Sequence, residues 1–200
     1  MENHKHKFEK KKAGVFFFKS SSPFEFHHIL NGIDIEPKEE IYGSLIFPEN
    51  VKLPCPAVIA VHGSAGLRGN HHDHIVNLLE AGIAVFRIHS FEARGLISII
   101  EDQMRVTLAT MITDSFRALS MLTQHPDIDP NKIGIMGWSL GGSTSFYSAW
   151  SPIVKALTLG VEKFSAHLPL YPGTHIKPEI NEWTEAPMRI LCGDADDYTP

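Results

Sequence analysis

Cysteine is scarce: Cys55 and Cys192 are the only two in 200 residues. Two are too few for a disulfide framework, and both are expected to be reduced, buried thiols of a cytoplasmic protein. Long hydrophobic runs are also missing, and a membrane-spanning helix needs about 20 apolar residues. The run at residues 13–18 follows Lys10, Lys11 and Lys12, yet it is too short for a signal peptide and lacks a small-residue cleavage site behind it. There is no excess of basic charge. Lys and Arg number 18 against 23 Asp and Glu, for a net charge of −5. Nothing global therefore suits nucleic acid. No internal repeat and no linker divides the chain. Neither nucleic acid nor a membrane is an expected partner, and the sequence leaves the oligomeric state open.

The length fits one domain with a substantial core. Residues 1–22 are expected to be a basic, disordered tail, and residues 23–200 a single domain. The stretch 24–30 has enough aromatic and apolar residues for a strand, followed by an Asn31-Gly32 turn. Residues 41–47 alternate as a second strand, and the two would pair antiparallel at an edge. The β-branched run 57–61 reads as a central parallel strand buried on both faces. Asn70 is placed to cap a helix running to about Ala81 and ending at Gly82. Residues 83–88 form the next strand. A long helix is predicted over 101–122, with Leu108, Met111, Ile112, Ser115, Leu119 and Leu122 on one face. Residues 132–136 form a further buried strand, either 153–159 or 167–170 another, and 187–192 the last. Strands alternating with helices predict an α/β fold with a mainly parallel sheet and helices on both faces.

One stretch organises the rest. Gly137-Trp138-Ser139-Leu140-Gly141, followed by Gly142, is a G-x-S-x-G motif between a predicted strand and a small-residue segment suited to a helix. On such a turn Ser139 stands at a helix N-terminus, where negative charge is stabilised. The alternative is an ordinary glycine-rich turn that contains a serine. As a nucleophile Ser139 needs a base beside it, usually a histidine held by a carboxylate. Asp196, past Gly193 after the last strand, is the candidate acid; Asp194 and Asp197 are read as turn residues. An oxyanion would be met by the N–H of Leu140 and by one from the loop His62-Gly63-Ser64-Ala65-Gly66, with Ser64 preferred over Ala65. Ligand sites in such sheets lie beyond the strand C-termini, where all these residues fall.

These anchors resemble the dienelactone hydrolase family of α/β-hydrolases. The resemblance runs from about residue 40 to the end. It rests on the 62–66 loop, Ser90-Phe91-Glu92-Ala93-Arg94-Gly95, the Ser139 motif, Tyr171-Pro172-Gly173, and the segment from Gly193 through Asp196-Asp197-Tyr198-Thr199-Pro200. It implies hydrolysis of a small-molecule ester or lactone without a cofactor, with Ser139 as nucleophile and Asp196 as triad acid. It also points to Arg94 as a contact for a substrate carboxylate, with a plain surface arginine as the other reading.

The departures are specific. Strand 83–88 is followed by His89, where relatives often carry an aspartate. In this fold the triad runs serine, acid, histidine along the chain, and none of the four residues after Asp196 is a histidine. The chain is therefore expected to lack the fold's last strand and helix and to be nearly inactive as given. His62, His89 and His175 are the substitutes that the topology would bring closest to Ser139. Among the 12 histidines, His71 and His74 share a helix face, but two ligands do not close a zinc site, so no metal is expected. The other readings are a non-catalytic binding protein on a truncated hydrolase fold and a peptidase or acyltransferase on the same scaffold.

Overall fold

In the computed structural model, which describes residues 13–158, 160 and 162–199, the first two strands are set by side-chain alternation. Strand β1 (Gly14–Ser20) turns Phe16, Phe18 and Ser20 inward and Val15, Phe17 and Lys19 outward. Strand β2 (Glu39–Ile46) buries Ile41, Gly43 and Leu45. The two pair antiparallel, with Phe17 opposite Tyr42. The expected tail over residues 1–22 is thus corrected for residues 14–20, because a period-two apolar face earns a place on the sheet. Residues 1–12 lie outside the described residues.

The expected strand over 24–30 is also corrected. Its core is a short helix, α1 (Phe26–Leu30), which buries Ile29. Helical backbone lets Phe26 pack on the rings of Tyr147 and Trp150, 5.3 and 6.0 Å away between centroids. Asn31 and Gly32 close it through bonds to the carbonyls of His27 and Ile29. The edge beside β2 belongs to β1 instead.

The central strands are β3 (Cys55–Val61), β4 (Ala84–Ile88), β5 (Ile128–Trp138) and β6 (His167–Leu170). The sheet order is β1-β2-β4-β3-β5-β6, antiparallel at β1–β2–β4 and parallel through β4–β3–β5–β6. Helix α2 (His72–Glu80) follows a 3-10 turn, Gly69–His71, so it starts later than Asn70 would suggest. It ends as expected: Gly82 has φ +80° and its N–H bonds the Leu79 carbonyl. Helix α3 (Leu108–Leu122) starts seven residues later than predicted, at the Thr107 cap, whose hydroxyl accepts from the Thr110 N–H. The predicted apolar face is buried apart from half-buried Leu108, and so is most of the rest, including Thr113, Asp114 and Phe116. Helices α4 (Leu140–Tyr147) and α5 (Ser151–Thr158) follow β5. Of the two alternatives for the next strand, 167–170 is the strand, and 153–158 lies in α5.

The segment 187–191 runs parallel beside β6. Pro187 and Leu191 accept from the N–H groups of His167 and Tyr171, and Arg189 and Leu191 donate to the carbonyls of His167 and Pro169. Only Met188 and Leu191 form bridges, so the expected last strand is irregular. Cys192, expected to be buried, is exposed; only Cys55 is buried as expected. No described helix is long and apolar enough to cross a membrane.

His167 gives this sheet a pH dependence. Its side chain is buried, and its Nδ1–H donates to the Ser145 carbonyl at 2.8 Å. Burial pushes its pKa down to about 4. In the unfolded chain an imidazole titrates near ~6.5, so between these values the unfolded state binds more protons. Stability is therefore complete above the upper value and falls as pH drops through the window, by up to about 3 kcal/mol from this group. Thermal melts should show a lower melting temperature at pH 5 than at pH 7.5, and His167→Gln should flatten that difference.

Candidate active site

Strand β5 ends at Trp138, and the chain then reverses through Ser139 into α4. Ser139 has φ +53° and ψ −114°, a conformation that side-chain-bearing residues rarely adopt. Such strain is of order 1–3 kcal/mol and persists only where the surroundings enforce it. Here the Ser139 N–H donates to the Leu170 carbonyl at 3.0 Å, and the Ser139 carbonyl accepts from the Ser143 N–H at 2.8 Å. Helix α4 begins wedged between the ends of β3 and β6. A Cβ on Gly141 would collide with the Val61 carbonyl, so glycine is required there. Leu140 is the first residue of α4, and its N–H has no partner within the helix.

The 62–66 loop sits directly against this turn. A Cβ on Gly63 would lie 3.1 Å from the Trp138 carbonyl and 3.5 Å from the Ser139 Cβ. The loop is a tight turn closed by a bond from the Gly66 N–H to the Gly63 carbonyl, at 2.9 Å. Its Ser64 carbonyl is clamped from outside by the Ile99 N–H and the Ser98 hydroxyl, at 2.9 and 3.2 Å. Ser64, Ser139 and Leu140 line one cavity of about 380 Å³, closed by Ser143, the 173–175 loop, Gln103, Tyr198 and Thr199. A second cavity of about 400 Å³ lies on the other side of Ser64 and Ser139. The structure therefore brings together the predicted nucleophile and both predicted oxyanion residues.

Asp196 lines neither cavity and is half-buried. Its carboxylate accepts from the N–H groups of Tyr198 and Thr199 and from the Thr199 hydroxyl, at 2.8–3.0 Å. The Thr199 bonds above all hold its pKa below the ordinary carboxylate range. Thr199 and Tyr198 in turn face Ser139 across the cavity. Tyr171, which lines the second cavity, has its hydroxyl pKa raised by burial and by the Asp196 charge. Asp194 and Asp197 are exposed.

Of the three histidines weighed as substitutes, only His175 reaches the cavity. His62 is buried against the Phe91 ring, its Nδ1–H donates to the Gly63 carbonyl, and burial pushes its pKa down. His89 stacks on Tyr42 and meets Ser44 and Glu92. Among the described residues, no histidine hydrogen-bonds Ser139 or Asp196. His71 and His74 both flank Trp138, His71 by stacking and His74 by accepting from the indole N–H at 2.8 Å. Among the described residues, no three His, Cys, Asp or Glu side chains are grouped to hold a metal.

Arg94 is a correction. Its guanidinium bonds both Asp114 carboxylate oxygens, at 2.8 and 3.1 Å, and also Glu39, Ser22 and the Ser90 carbonyl. It lines neither cavity, and it is no free surface arginine either. Gln103, Ser143, Thr174 and Ile100 line the cavities without having been singled out from sequence. Ser143 alone had a usable signal: it stands four residues after Ser139, one helical turn away.

Comparison with known proteins agrees with this geometry. YtaP of Bacillus subtilis (strain 168) is 24% identical over 138 residues, 58% of this chain and 46% of that protein. The chain thus spans about half the length of this curated relative. Esterase 2 of Thermogutta terrifontis, phosphoramylated by tabun, superposes with a TM-score of 0.63 at 17% identity, covering 96% of this chain and 75% of the esterase. The dienelactone hydrolase-like promiscuous phosphotriesterase P91, from metagenomic libraries, superposes with a TM-score of 0.57 at 18% identity, covering 92% and 71%. These likenesses establish the α/β-hydrolase fold. Residues 41–200 match the family model for the dienelactone hydrolase family, and the chain belongs to that family.

Proposed function

We propose that this chain carries the catalytic core of a serine hydrolase acting on small esters or lactones through an acyl-enzyme. The observation behind this is the strained Ser139, raised at the start of α4 and sharing a cavity with Ser64 and Leu140. In the proposed reaction the Ser139 hydroxyl attacks the carbonyl carbon and a base takes its proton. The N–H groups of Leu140 and Ser64 receive the oxyanion, each worth about 3–4 kcal/mol of barrier. Collapse expels the alcohol, and water then releases the acid and restores Ser139. Asp196, held ionised by Thr199, is the acid that would orient an imidazole.

No histidine among the described residues hydrogen-bonds Ser139 or Asp196, although His175 shares the cavity, so turnover without an added base should stay near the residual level. Sites that lack one triad member keep only about 10³–10⁴-fold acceleration over water.

The test is a panel of phenyl acetate, a five-membered lactone and acetanilide, run on the wild type and on Ser139→Ala with free imidazole supplied to both. Turnover of the ester and the lactone that depends on Ser139, with little of the amide, supports the reading. No Ser139-dependent turnover, with folding intact, would favour a binding protein. Equal cleavage of the amide would favour a peptidase.

A further inference from the structure

The two cavities that meet at Ser139 differ in chemistry. Beyond the shared residues Ser64, Ser139 and Tyr198, the first presents Gln103, Ser143, Thr174, His175 and Thr199, which are hydrogen-bonding side chains around a single apolar one, Leu140. The second presents Ala65, the glycines of the 62–66 loop, Ile100, Tyr171 and the stacked His71–Trp138 pair. Arg68 and Asn70 also line it, and the rest of its surface is aromatic and aliphatic.

The rim on that side is unusual for a protein surface. Ile100 is 58% and Tyr198 72% exposed, and both line the second cavity; Ile97 and Met104, near Ile100 in sequence but lining neither cavity, are more than half exposed as well. Isolated exposed apolar residues are ordinary, but several around a concave site mark a binding surface. This rim is also anchored. Ile99 is buried, and its N–H and the Ser98 hydroxyl both bond the Ser64 carbonyl. The Ile97 carbonyl lies so near Gly66 that a Cβ there would come within 2.7 Å of it. The backbone that carries Ile97 and Ile100 is thus held against the oxyanion loop.

From this asymmetry we infer that the preferred substrate is an ester with one aryl arm and one short polar arm. The aryl arm lies between the 63–66 loop and Ile100 and Tyr198; the polar arm faces Gln103 and Thr174. This rests on Ser139 being the nucleophile. Arg68 also lines the aryl side and has no ion-pair partner among the described residues, so a ring substituent reaching it is a hydrogen-bond acceptor rather than a cation.

The test uses two fluorophosphonates with the same phosphorus–fluorine centre, one bearing a benzyloxy arm and the other a 2-methoxyethoxy arm. Attack by the Ser139 oxygen forms the O–P bond and expels fluoride, and the hydroxyl proton passes to added imidazole. Intact mass against time gives each labelling rate. The benzyloxy probe should react about tenfold faster, and the ratio should fall toward one in an Ile100→Ser, Tyr198→Ser double variant. Thr174→Ala should keep the aryl preference. Equal rates in the wild type, or a preference untouched by the double variant, would overturn the inference while leaving the nucleophile in place. Failure of both probes to label Ser139 in folded protein would remove the nucleophile reading and this inference with it.

Discussion

Free imidazole, at roughly 0.1 M, should raise Ser139-dependent hydrolysis of phenyl acetate by this chain about tenfold or more. A positioned general base contributes about 10²–10⁴-fold, and a dissolved one recovers only part of that, because its orientation is not fixed. The polar cavity beside Ser139, at about 380 Å³, has room for the imidazole ring beside a small ester. Asp196, its pKa held low, is hydrogen-bonded to Thr199, which lines that cavity. The stimulated rate should disappear in Ser139→Ala, leaving only the blank reaction of imidazole with the ester. Asp196→Asn should blunt the stimulation by removing the charge that favours the imidazolium. If His175 were the base instead, the chain would turn over without added imidazole, and His175→Ala would abolish that activity.

Arg94→Met should lower the melting temperature by about 6–20 °C. The Asp114 side chain is fully buried, and its carboxylate is met by the Arg94 guanidinium and by the Ser20 hydroxyl. Removing one partner of a buried ion pair costs about 3–5 kcal/mol, because the other charge is left uncompensated. A domain of this size loses about 2–4 °C per kcal/mol. The double variant Arg94→Met, Asp114→Leu should recover much of the loss, since an apolar pair leaves no orphan charge. Had Arg94 bound a substrate carboxylate, the single change would instead raise KM for anionic esters and leave the melting temperature alone.

Arg94 also shows what a sequence conceals. Its partners lie at Ser22, Glu39 and Asp114, and nothing in the spacing of those residues marks them as neighbours. Asp114 sits on a helix whose apolar face was legible; that the opposite face is buried as well comes from packing, not periodicity. The Ser139 turn was legible for the opposite reason. Gly137 is demanded by the Gly141 backbone one turn on, and Gly141 and Gly142 by the Val61 and Leu170 carbonyls of β3 and β6, yet all three flank Ser139 within six residues, so the signal is contiguous in sequence. The buried strands β3, β4 and β5 announced themselves through continuous apolar runs. Residues 24–30 misled because their aromatics serve a helix that reaches Tyr147 and Trp150 far along the chain. Gln103 falls in the predicted first turn of α3, whereas that helix waits for the Thr107 cap and leaves Gln103, with Ile100 before it, on a loop lining the two cavities.

The most direct measurement is peptide mapping by mass spectrometry after reaction with a fluorophosphonate and imidazole. The phosphonyl group should sit on the peptide containing Ser139 and be absent from Ser139→Ala. A label carried chiefly by another serine, or by a histidine, with Ser139 unmodified in folded protein, would contradict the proposal that the turn at the end of β5 presents a nucleophile.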